Sequence, residues 1–93
     1  MLENIGPGQV VISLAGRDAG RHYIVLGVTD EARVLVVDGL SRRVFNPKKK
    51  NPKHLRACSY VAEEVREKVA RGERVTDAEI RRALQVFLEK EGC

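Results

Sequence analysis

The chain has no tryptophan and only four aromatic residues, two Tyr and two Phe. A core must therefore be assembled from Val, Leu, Ile and Ala, and recognition by rows of stacked aromatics is not expected. The two cysteines, Cys58 and Cys93, have 34 residues between them, and Cys93 is the last residue of the sequence. That spacing fits neither a zinc pair nor a C-x-x-C redox motif. Cys58 is expected to point into a core as a small hydrophobe, and Cys93 to be a free thiol on a frayed terminus, with a disulfide between the two as the lesser alternative. No run approaches the roughly 18 apolar residues of a membrane span, and the N-terminus MLENIGPGQVV lacks the pattern of a secretory signal. A soluble, cytoplasmic protein is expected, with no membrane partner.

The chemistry of an enzyme is missing as well. There is no phosphate-cradling P-loop, no G-x-S-x-G, no H-E-x-x-H and no cluster of acids, and only two histidines occur. His54 and Cys58 are four apart, but a Cys–His pair with no third orienting group is a weak nucleophile signal. The expectation is a non-enzyme, without catalytic residues, metal, cofactor or small-molecule substrate.

Charge is present in quantity and is unevenly spread. The formal net charge is +4, while residues 1–38 carry −2 and residues 63–93 carry −1. The excess lies in residues 41–56, SRRVFNPKKKNPKHLR, where Arg42, Arg43, Lys48, Lys49, Lys50, Lys53 and Arg56 occur with no carboxylate between Asp38 and Glu63. Such a block suits a polyanion, because neutralising phosphates releases counterions and gives sequence-independent affinity. A solvated basic loop is the competing reading. Patterned apolar segments flank the block, and Val44, Phe45 and Leu55 interrupt it, which argues for attachment to a fold.

The first half of the chain reads as β-structure. Residues 9–14 (QVVISL), 22–28 (HYIVLGV) and 33–38 (RVLVVD) are β-branched runs bounded by turn residues. Asp38-Gly39 signals a turn into a short fourth strand at residues 42–45, and a fifth is expected at 55–58. Pro47 and Pro52 make the intervening lysines poor material for a central strand or a helix interior. Several runs are apolar on both faces, so something must cover the second face, and the spacing suggests a small curled barrel.

The second half changes period. Val61, Val65 and Val69 recur every fourth residue, giving a helix over residues 60–70 with Gly72 as its C-terminal signal. Thr76-Asp77-Ala78-Glu79 fits a capping box, with Val75 and Ile80 at the flanking staple positions. The helix that follows carries Ile80, Ala83, Leu84, Phe87 and Leu88 on one stripe, expected to pack on the barrel or on the first helix. Residues 1–58 are thus read as a barrel with a basic loop at 41–56, and residues 59–93 as a helical extension.

Residues 10–39, VVISLAGRDAGRHYIVLGVTDEARVLVVDG, resemble a KOW motif: a strand, a glycine-bearing turn and a second strand in an SH3-like barrel. The resemblance is carried by Val10, Ile12, Gly16, Ala19-Gly20-Arg21, Val25 and Val34 to Gly39, and the basic residues 47–55 are similar to those of short bacterial members. It covers about half the chain. It implies a mainly β, SH3-like five-stranded barrel and an RNA-binding protein like the small KOW-containing ribosomal proteins, with ribosomal RNA as partner. Ribosomal or transcription proteins are the alternative partners, for a KOW module that binds protein. One departure makes the turn tip less cationic: Ala19, preceded by Asp18, stands where a basic residue is common.

The RNA-binding set expected on these grounds is Arg17, Gly20, Arg21, Arg42, Arg43, Lys48, Lys49, Lys50, Lys53, His54 and Arg56. Gly20 permits a tight turn and close approach of a backbone or phosphate, and Arg17 and Arg21 could pair with phosphate oxygens. Arg17 could equally pair with Asp18. The lysines suit positioning more than base reading. His54 could stack on or hydrogen-bond a splayed base, or cap a strand end. Phe45 is expected in the core rather than as a stacking platform. A Lys48/Lys49/Lys50→Glu variant would separate RNA binding from protein binding.

Overall fold

The computed structural model describes residues 5–90, so Cys93 lies outside the described residues. Five antiparallel strands form one sheet: β1 (Gln9–Ser13), β2 (His22–Val28), β3 (Val34–Val37), β4 (Lys48–Lys50) and β5 (Leu55–Val61). Two helices follow, α1 (Glu63–Ala70) and α2 (Asp77–Lys90). The sheet order is β4-β3-β2-β1-β5.

Side-chain alternation along the strands produces two cores, because successive residues face opposite sides of a sheet. Val10, Ile24 and Val37 are buried with Cys58, Ala62, Val65, Val75, Ile80, Ala83, Leu84 and Phe87, which is the face that the helices cover. Val11, Tyr23, Val25, Val34, Val36 and Leu55 form a second cluster on the opposite face, inside the curl of the sheet. The doubly apolar runs are explained: β1 and β2 are needed by both interiors. Cys58 is buried, as expected of a core position, but no described cysteine is a free thiol.

The sheet curls without closing, which corrects the expectation of a closed barrel. β2 pairs with β1 through His22, Tyr23 and Ile24, and with β3 from Ile24 to Val28, with a register shift between Val25 and Gly27. A second irregularity lies between Gln9 and Val11 where β1 meets β5. Such bulges bend a strand and increase its twist. β4, bracketed by Pro47 and Pro52, is only three residues long and pairs with β3 alone. The chain then turns through a 3-10 helix, Pro52–His54, and enters β5 at the far edge of the sheet. At that point the amide of Leu14 donates to the His54 carbonyl at 2.8 Å.

The expected fourth strand at 42–45 is a turn, and the fourth strand is the lysine segment. Pro47 does confine that segment to an edge, where a missing donor costs no ladder bond.

The second helix and its start are as the sequence requires. The Thr76 amide donates to Glu79 Oε1 at 2.9 Å, and the Glu79 amide to Thr76 Oγ1 at 3.2 Å. Ile80, Ala83, Leu84 and Phe87 are buried, whereas Leu88 is 52% exposed and lies at the margin of the stripe. The Phe87 ring meets Tyr60 and His22 at centroid distances of 5.4 and 5.7 Å. Helices and sheet therefore share one interior.

Candidate nucleic-acid interface

The β1–β2 connection, residues 14–21, is a folded turn. Ser13 and Arg21 are tied by Ser13 N–H to Arg21 O at 2.9 Å, and Gly20 N–H donates to Ser13 O at 2.8 Å. Gly20 has φ of +91°, which any other residue would adopt with strain, and a Cβ there would meet nothing within 4 Å. Its role is conformational, and the space beside it is open.

Asp18 is drawn inward from the turn and is 8% exposed. Its Oδ1 accepts from Ser13 Oγ at 2.9 Å and Lys50 Nζ at 3.1 Å. Its Oδ2 accepts from Tyr23 Oη at 2.8 Å and Lys48 Nζ at 3.2 Å. Burial opposes the charge on Asp18, but hydrogen bonds from Tyr23, Lys50, Ser13 and Lys48 outweigh it and hold the carboxyl well below its ordinary range. Burial and the adjacent carboxylate push the Tyr23 phenol up. Both carboxylate oxygens are occupied, so Arg17 is not the partner of Asp18. Arg17 is exposed and makes no ion pair among the described residues.

Strand alternation divides the three lysines. Lys48 and Lys50 oppose Val36 and Val34, both in the inner cluster, while Lys49 opposes Leu35 on the other side. The Lys50 side chain is consequently 8% exposed and Lys48 31%, and Lys49 is exposed. The expected set of four point charges is thus reduced at the surface to Lys49 and Lys53, with Lys48 half-turned in and Lys50 buried. A Lys48/Lys49/Lys50→Glu variant would place two carboxylates beside Asp18, so it tests folding before it tests binding.

The β3–β4 connection is held at both ends. Asp38 accepts from the amides of Leu40 (2.9 Å) and Arg42 (2.8 Å) and from Ser41 Oγ (2.9 Å). Burial works against its ionisation, but those bonds, from Arg42, Leu40 and Ser41, and the Arg21 charge lower its pKa. Arg21 reaches across to Ser41 Oγ at 3.1 Å and Asp38 at 3.7 Å. Gly39, with φ of +79°, lies against α2 so closely that a Cβ would sit 2.7 Å from the Asp77 carbonyl. Arg81 donates to the Gly39 carbonyl at 2.9 Å, and the Val44 amide to Asp77 Oδ1 at 2.8 Å. Arg81 is therefore a loop anchor rather than a partner of Glu79, which bonds Lys68 and the Thr76 cap.

Three cationic segments meet around residues 14–21. Asp18 binds β4, Leu14 binds the 3-10 turn that carries Lys53 and His54, and Arg21 binds the loop that carries Arg42 and Arg43. Arg17, Arg43, Lys49, Lys53 and Arg56 are exposed and Arg42 is partly so, and none of the six forms an ion pair among the described residues. His54 is exposed, and its backbone rather than its ring ties it to the fold. Cys58, by contrast, is buried in the helix-facing core.

Two features escaped the sequence reading. Asp18 had no local signal, since its cationic partners lie 30 and 32 residues away. Phe45, expected in the core, is 79% exposed, because Val44 takes the inward position of the turn. Among the described residues no cluster of three or more His, Cys, Asp or Glu could hold a metal ion, and no helix is long and apolar enough to cross a membrane. No protein-family model and no curated protein matches the chain.

Proposed function

We propose that the chain binds structured RNA through phosphate contacts, as a KOW-type, SH3-like domain acting in translation in the cytoplasm, with ribosomal RNA as its target. The observation that carries this reading is the gathering of three cationic segments around one glycine-bearing turn: four of their cations, Arg42, Arg43, Lys49 and Lys53, together with Arg17 of the turn and Arg56 of β5, are unmatched by described carboxylates. The strand–turn–strand that carries the KOW resemblance is the β1–β2 hairpin at the centre of this gathering. Asp18 and Asp38 fix the loops before binding, which lowers the ordering cost of the complex. We assign no catalytic role.

Neutralising about five phosphates would give a slope of log K against log[salt] of roughly −3.5 to −4.5. An Arg43/Lys49/Lys53→Glu variant removes exposed, unpaired charges and leaves Asp18 and its partners in place. It should fold normally, lose ribosomal RNA binding and lose ribosome co-sedimentation. Binding that is flat with salt and indifferent to this variant would refute the proposal.

A second reading, a protein-interaction module, is favoured by one observation. Leu40 is 66% exposed and, with Leu84 and Leu88, lines a cleft between the β3–β4 loop and α2. Retained co-sedimentation by the charge variant, lost on Leu40→Asp, would select it.

A further inference from the structure

Phe45 is the most exposed of the large apolar side chains in the described structure, at 79%. It is also held firmly. Asn46 N–H closes a turn on Arg43 O at 2.9 Å, the Val44 amide is bound by Asp77 at 2.8 Å, and the Val44 side chain packs on the helix-facing core. The turn thus presents a ring to solvent on a rigid support, two residues from Arg43 and three from Lys48. A singly exposed apolar side chain needs no explanation by itself, but an aromatic on a hydrogen-bonded turn within a cationic loop offers a face on which an unpaired base can stack.

Phe45 also forms one wall of a cleft of about 500 Å³, within the range of small-ligand sites (about 300–1,000 Å³). Leu26, Val44, Val69 and Val75 supply its apolar lining, and Arg74 and Glu73 stand among its polar groups. Glu73 is engaged by Arg71 at 3.1 Å, which leaves Arg74, free of ion pairs among the described residues, as the available charge. A flat, uncharged ring between an aromatic wall and aliphatic side chains, joined to an anionic backbone that can reach Arg42, Arg43 and Arg74, fits this combination.

We propose that Phe45 stacks on a single unpaired nucleobase of the bound RNA, which enters the cleft beside α1 while the loop cations hold the adjacent phosphates. This rests on the RNA-binding reading and narrows it: the target is a helix interrupted by a bulged or looped-out nucleotide, not a continuous duplex. Continuous duplexes offer no free base face, whereas splayed bases stack readily on aromatic side chains.

The chain lacks tryptophan, so Phe45→Trp introduces a single reporter at the site. Its fluorescence should be quenched by a two-stranded RNA duplex carrying one bulged nucleotide and left unchanged by the fully paired duplex. Phe45→Leu keeps an apolar side chain and should weaken binding of the bulged duplex by roughly 5- to 100-fold, with the salt slope and the paired duplex's affinity unchanged. Thermal melts of both variants should match the parent protein, since the ring is exposed. If both duplexes bind with the expected salt slope but neither fluorescence nor the Leu variant distinguishes them, stacking is overturned and the phosphate reading survives. If neither duplex nor ribosomal RNA binds, both fall. Self-association of the parent protein that Phe45→Leu abolishes, seen by sedimentation, would mean that the ring covers a second copy instead.

Discussion

Replacing Asp18 by Asn tests the central electrostatic claim. The substitution preserves shape and one acceptor oxygen, so Tyr23 and Ser13 can keep part of their bonding, but it removes the charge that Lys50 faces at 3.1 Å with 8% of its side chain exposed. Stripping the partner from a buried ion pair costs about 3–5 kcal/mol. Lys48, 31% exposed, adds at most about 1 kcal/mol because water can solvate it. For 93 residues the whole stability is expected at about 5–14 kcal/mol, so the loss is a large fraction. With a urea m-value near the low end, about 1–1.5 kcal/mol/M, the midpoint should fall by roughly 2–5 M.

The same pair supplies the control. Lys50→Met in the Asp18→Asn background removes the stranded cation and should recover most of the loss, giving a coupling well above the scatter of independent sites. The pH dependence has a fixed sign. Folded Asp18 ionises at lower pH than the unfolded chain, so its contribution is complete above the ordinary value of 3.8 and drains away as pH falls below it. Asp18→Asn should flatten that acid limb. A loss under about 1 kcal/mol, or a double variant no more stable than the single one, would show that the network does not act as a unit.

Leu84→Ala, at a side chain 8% exposed in the helix-facing core, should cost about 2–5 kcal/mol in a urea melt; an unchanged midpoint would mean that α2 is not docked. Gly39→Ala should cost at least about 1–3 kcal/mol and loosen hydrogen exchange in the β3–β4 loop, since φ is +79° and the new Cβ would strike the Asp77 carbonyl. His22, whose Nε2 is buried without a partner among the described residues, has its pKa lowered by desolvation. Its stabilising contribution should therefore be present above the ordinary value of 6.5 and decline below it, and His22→Phe should lessen the fall in urea midpoint between pH 7 and pH 5.

Local signals located most of the elements. β2 and α2 begin and end where the β-branched run and the capping box place them, because propensity, periodicity and burial all agree there. The lysine strand was illegible for the opposite reason. Lys48-Lys49-Lys50 has low strand propensity, and its ladder to Val34, Leu35 and Val36 and the pairing of Lys48 and Lys50 with Asp18 are both long-range. The turn at 42–45 misled because Val44 and Phe45 read as an apolar pair on a strand, while only Val44 is turned inward. The cationic block was visible as composition. Which of its members faces water was not, since that depends on strand register.

The two interiors have a consequence for how the molecule comes apart. Tyr23 and Val25 belong to one and Ile24 to the other, so β2 is a party wall between two rooms. Opening either room strips a face of the same strand, and neither half can survive as a residual island. Denaturation should accordingly register as a single step by every probe, with the amides of Tyr23, Ile24 and Val25 the last to exchange with deuterium.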